Sequence, residues 1–150
     1  MASKIMFKTS AILWGIWGIV HLLAGISMIF ALQNGVNGLP ESVLVNMMGS
    51  EMPVHALATL MEHNWNNAWF GLVVVIGAFF VWKGNRNGIF LSAIVGGLAH
   101  LGFFIFVILP YPDPIGIIMS FVAAAAIVLS FIAYFTSTKS IEKNHAATRI

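Results

Sequence analysis

The sequence predicts an all-α membrane protein, a bundle of four antiparallel transmembrane helices with a longer extracytoplasmic loop after the first. Three observations predict it. Of the residues, 59% are hydrophobic and only 8% charged, whereas a domain covered by water carries roughly a quarter charged residues. Lipid must therefore cover much of this surface. The chain also contains four uncharged stretches, 10–32, 64–82, 87–109 and 114–138. Each is close to or longer than the roughly 20 residues that cross about 30 Å of hydrocarbon at 1.5 Å per residue. None alternates apolar with polar residues, so helices rather than barrel strands must satisfy the backbone inside lipid. The 150 residues fit one domain, 1–150.

The first stretch follows Lys4 and Lys8. Its apolar run is longer than that of a signal peptide and no small-residue cleavage motif follows it, so it reads as a membrane helix. The loop from Gln33 to about His63 has room for a short interfacial helix over 40–48, and Ser50 with Pro53 marks a helix start. Only Gly71 and Gly77 interrupt the run from Pro53 to Trp82, so residues 55–67 are expected to be helical and continuous with the second span. Lys83-Gly84-Asn85-Arg86-Asn87-Gly88 predicts a tight turn in which glycine and asparagine supply positive φ. Pro110-Tyr111-Pro112-Asp113-Pro114 is a short, stiff link to the fourth helix. The polar end, 139–150, reads as a cytoplasmic tail in which His145 is incidental.

Orientation follows from the cations. Lys4 and Lys8 precede the first span, Lys83 and Arg86 separate the second from the third, and Lys139, Lys143 and Arg149 follow the fourth. The other two loops hold no Lys or Arg but carry Glu41, Glu51, Glu62 and Asp113. The positive-inside rule then puts both termini and the 83–86 turn in the cytoplasm. The expected location is a cell membrane, the inner membrane of a prokaryote, with the lipid bilayer as the first partner and a membrane complex or a second copy of the chain as further ones.

Several chemistries are excluded or left without support. The chain has no cysteine, which removes disulfides, thiolate metal sites and thiol nucleophiles. No basic cluster is interleaved with aromatic residues, so nucleic acid is not an expected partner. No carboxylate lies inside any of the four stretches and no arginine inside the second, which sets the chain apart from small multidrug exporters and membrane glutathione-handling enzymes.

The sharpest candidate site is a pair of intramembrane histidines. His21 lies about ten residues into the first span and His100 about twelve into the third, so two spans running the same way hold them at similar depth. Gly18-Ile19-Val20-His21-Leu22 and Gly97-Leu98-Ala99-His100-Leu101 share the pattern Gly-x-x-His-Leu. A polar ring in hydrocarbon is costly and is usually paired or functional. Gly18 and Gly97 beside the rings suit either close helix packing or room for a flat cofactor. One reading is ligation of haem b, or contact with a quinone or a metal. The other is helix packing, each imidazole hydrogen-bonded to a carbonyl, a serine or the other ring. For a bound haem, each second ring nitrogen needs an acceptor, and Ser92 and Ser120 are candidates.

The second candidate is a polar stripe at the outer end of the second span. His55, Thr59, Glu62 and Asn66 follow i, i+4, i+7, i+11 spacing on one helix face, with His63 and Asn67 on its shoulder. This spacing suits a divalent metal or an acid–base pair, or equally a solvated interfacial face. It lacks the His-Glu-x-x-His order of zinc hydrolases. Glu62 is expected to face a polar cavity, since a carboxylate there needs water or a partner. Met47, Met48 and Met52 with His55 suggest soft-metal capture. The tryptophans, Trp14, Trp17, Trp65, Trp69 and Trp82, read as interfacial anchors, with Trp14 and Trp17 somewhat deeper and Trp14, on the histidine face of the first helix, either lining a pocket or packing in the core. Three functions remain: a redox or ligand-binding module built on His21 and His100, a non-catalytic subunit of a membrane complex, and an enzyme or transporter entered through the outer stripe.

Overall fold

In the computed structural model the described residues, 2–33 and 54–147, are helices and the turns that join them. Four helices are long and apolar enough to cross a membrane. They are α1 (Ala2–Gln33), α2 (Val54–Trp82), α3 (Arg86–Ile108) and α4 (Pro114–Ala147). The segment 34–53 lies outside the described residues, and with it the interfacial helix expected over 40–48, the helix start at Ser50 and Pro53, and Met47, Met48 and Met52.

Three helices outrun their uncharged stretches. α1 begins at Ala2 rather than near residue 10, α2 at Val54 as the unbroken run after Pro53 predicts, and α4 continues to Ala147 through what the sequence suggested was a tail. Charge ends a membrane span, but only a lost backbone bond or a strained φ ends a helix. No Gly or Pro lies between Ala2 and Lys8, between Val54 and Asn64, or after Gly116.

The turn between α2 and α3 is a glycine cap. Gly84 has φ of 72°, its N–H donates to the Val81 carbonyl (2.8 Å), and the Asn85 N–H donates to the Phe80 carbonyl (3.0 Å). These two bonds satisfy the last carbonyls of α2. Asn85 then opens α3, its Oδ1 accepting from the Asn87 N–H at 2.8 Å. At the other connection Asp113 caps α4 by accepting from the Gly116 N–H (2.6 Å), and Pro114 takes the first helical position.

Small residues set the helix contacts. A Cβ on Gly18 would meet the Gly71 carbonyl oxygen and Val75, and one on Gly25 would meet the backbone at Asn64 and Ala68. The α1 and α2 backbones approach closely along this seam, as membrane helices do at small residues. Gly88 of α3 sits against Phe80 and the Gly77 carbonyl of α2 in the same way. Between α1 and α4 the contact is polar: Trp14 Nε1 donates to Ser130 Oγ (3.3 Å), and Ser10 donates to the Ala126 carbonyl (2.9 Å) beside Ser130. Trp14 and Trp17 belong to the core, at 0% and 1% exposure, whereas Trp65, Trp69 and Trp82 are exposed. Large apolar side chains such as Leu23, Phe30, Phe79, Leu98 and Phe106 point outward, and hydrocarbon is the solvent that suits them.

Candidate functional site

The site begins with one turn of α1. Trp17 and His21 are four residues apart and therefore share a face. Their rings stack with centroids 3.7 Å apart and planes 17° from parallel. His21 Nδ1 donates to the Trp17 backbone carbonyl at 2.7 Å. A carbonyl can only accept, so Nδ1 carries the hydrogen and Nε2 is the nitrogen left over.

His100 reaches the same place from α3, which is not a uniform helix. It makes a π turn at Ala93–Gly97, returns to α-helix over Leu98–Phe103, and makes a second π turn at Phe104–Ile108, where the Leu109 N–H bonds the Phe104 carbonyl at 3.0 Å. His100 lies on the α-helical piece between them. Mid-helix π turns recur at functional sites because they re-aim side chains. A Cβ on Gly96, in the first π turn, would meet the Trp14 ring, so glycine there admits the indole.

Trp17 joins the two histidines. Its Nε1–H donates to His100 Nδ1 at 3.1 Å, and His100 Nε2 donates to Ser120 Oγ of α4 at 2.9 Å. Ser120 passes its own hydrogen to the Gly116 carbonyl at 2.8 Å. The His21 and His100 rings are 5.7 Å apart, centroid to centroid, and nearly perpendicular. His100 is buried and fully hydrogen-bonded, whereas His21 is half-buried.

A cleft of about 280 Å³ opens beside these rings. Its deep end is formed by Trp17, His21 and His100, its walls by Val20, Phe70, Phe103 and Met119, and its polar rim by His63, Asn66, Asn67 and Asp113. Two features that are separate in the sequence, the intramembrane histidines and the outer polar stripe, thus line one space. The shoulder of the stripe does this, together with one residue of its central row, Asn66. Asn66 and His63 reach the cleft, while His55 and Thr59 lie on a shallow surface with His63, and exposed Glu62 lines neither. The polar cavity expected for Glu62 is therefore not its environment, because the helix turns the carboxylate away from the bundle.

Gly18 is filled from α2 by Gly71 and Val75 and serves helix packing. Gly97 meets only the end of the Ile127 side chain and lines, with His100 and Ser120, an apolar groove of about 590 Å³ between α3 and α4. Ligation of haem b by both histidines does not fit this arrangement. Iron needs a bare imidazole nitrogen, and both nitrogens of His100 are committed, one to the Trp17 N–H and one to Ser120. The cleft is also at the small end of ordinary ligand sites. Among the described residues no three His, Asp or Glu side chains converge as a metal site.

Trp17 is the site residue that the sequence hid: the sequence points to Trp14 as the tryptophan on the histidine face, whereas Trp14 packs against Ser130 and Gly96 and Trp17 lines the cleft. Its spacing of four from His21 was the available signal. Asp113 on the rim was hidden too, inside a proline-rich link. Comparison of the chain with protein-family models, with curated proteins and with solved structures returned no match.

Proposed function

We propose that the chain is a multi-pass protein of a cell membrane that binds a small, flat organic molecule in the cleft, with His21 as the polar contact at its inner end. The single observation carrying this reading is that the polar rim on α2 and the intramembrane imidazoles line one cleft. Aromatic and aliphatic walls with a few convergent polar groups are the usual make-up of a small-molecule site. A quinone-sized ring falls within this class, and a haem does not.

In this reading the bundle is antiparallel with both termini cytoplasmic. The segregation of Lys and Arg supports the orientation. The contacts of Gly18 with Gly71 and Val75, and of Gly25 with Asn64 and Ala68, support the opposed direction of α1 and α2. The cleft rim then faces the outer side.

The test is a screen of single-ring organic compounds against detergent-solubilised protein by saturation-transfer NMR, repeated with Ala24→Phe. Ala24 lines the cleft and is exposed, so a phenyl group there occupies the space without entering the core. Binding by the wild type that is lost in Ala24→Phe, at unchanged melting temperature, is the expected result. Equal signals from both proteins would show that the compounds bind elsewhere.

A further inference from the structure

Every hydrogen bond around the two imidazoles has its direction fixed by a group with only one role. The Trp17 carbonyl can only accept, so His21 Nδ1 holds a hydrogen. The Trp17 indole can only donate, so His100 Nδ1 holds none, and the neutral His100 ring keeps its hydrogen on Nε2, where it goes to Ser120. Ser120 spends its hydrogen on the Gly116 carbonyl. The network closes with no donor to spare. An uncharged imidazole is the form compatible with this depth in hydrocarbon. Uncharged His21 with hydrogen on Nδ1 presents a bare lone pair at Nε2, and among the described residues no group donates to it. Among the described residues Nε2 is also the one imidazole nitrogen of the pair left without a protein partner, on a ring that lines the cleft.

We infer that the ligand approaches His21 as a hydrogen-bond donor and is a hydroxyl-bearing aromatic ring, a phenol or hydroquinone, rather than a ring carrying carbonyl oxygens alone. A quinone carbonyl and the His21 lone pair would be two acceptors face to face, each losing its solvation with nothing in return. An aromatic hydroxyl supplies the missing hydrogen, and its ring meets the faces of Trp17, Phe70 and Phe103. Asn67 on the rim has both a donor and an acceptor, so the far edge of the ring is not restricted in the same way. This inference rests on the cleft being a binding site.

The experiment compares 4-methylphenol with 4-methylanisole, which has the same ring and no donor, on the full chain labelled with ¹⁵N-histidine in lipid nanodiscs. The phenol is expected to bind about tenfold more tightly, the worth of one neutral hydrogen bond, and to shift the His21 Nε2 resonance. In His21→Phe, which keeps a ring against Trp17, the preference should fall to about one. Equal binding of the two compounds, abolished for both by Ala24→Phe, would overturn the donor rule and leave the cleft standing as a site. Binding of neither compound, or binding indifferent to Ala24→Phe, would overturn both. A check on the wild type needs no variant: its ¹⁵N spectrum must show His21 protonated at Nδ1, and a hydrogen on Nε2 alone would end the inference.

Discussion

Trp17 takes part in three interactions at once. Its ring face lies on His21, its N–H satisfies His100, and its backbone oxygen orients the His21 imidazole. Removing one partner of a buried hydrogen bond leaves the other with its full desolvation cost, about 1–3 kcal/mol. Trp17→Phe, which keeps an aromatic face, should therefore destabilise the protein by about that amount, and so should His100→Leu. The double variant should cost less than the sum of the two, since the second change removes a group already orphaned. Reversible unfolding in mixed micelles measures all three, and strict additivity would mean that the indole–imidazole bond contributes nothing. The importance of His21 and His100 was legible because an uncharged span leaves few polar residues to choose among, and residue counting gave them similar depth. Their link was not legible. Nothing in a string of apolar residues tells which tryptophan turns inward, since that depends on where the neighbouring glycines let a large ring fit.

At the level of helices, the glycines divide sharply by their surroundings. A Cβ on Gly71 would meet the Leu22 and Gly18 backbones, whereas one on Gly15 would meet nothing within 4 Å. Gly71→Ala should push α1 from α2 and cost about 1–3 kcal/mol, as overpacking does. Gly15→Ala should be neutral or stabilise the protein by up to about 1 kcal/mol through helix propensity. Thermal melts of the two variants in one detergent check the contrast, and similar melting temperatures would contradict the close seam. The existence of the helices could be read from hydropathy and the early start of α2 from the unbroken run after Pro53, but the early start of α1 and the extension of α4 could not. α2 begins at Val54, well before the apolar stretch, because His55, Glu62 and Asn64 are compatible with helix even though they are unwelcome in lipid. This early start carries His63, Asn66 and Asn67 to the rim of the cleft.

For the molecule as a whole, the absence of cysteine makes sidedness directly measurable. Asn37→Cys and Asn85→Cys, each the single thiol of its variant, should react with a membrane-impermeant maleimide from opposite faces. Asn37 is expected to label in intact cells and Asn85 only after permeabilisation, and labelling of both in intact cells would overturn the proposed topology. The apolar exterior fits lipid around nearly the whole circumference, with Lys8 lying over the Trp82 ring and Lys83 over Phe79 at the end of the bundle assigned to the cytoplasm. Such pairs hold a span in place at the headgroup layer.

The two π turns of α3 give the site a local tolerance of chain length that a uniform helix lacks. Each residue of an α-helix turns the chain by about 100°, and a π turn accommodates one residue more than the α-helical ladder would. Deleting a single residue from Ala93–Gly97 removes that extra residue and lets the ladder close as ordinary α-helix, so the helix beyond it keeps its facing and His100 stays directed at Trp17 and Ser120. The shortened α3 would still be uncharged and long enough to cross the bilayer, so insertion into the membrane would proceed as before. One codon lost at the π turn is thus absorbed by the ladder, whereas one lost from a uniform α-helix would swing everything beyond it by about 100°, and hydropathy would record neither event.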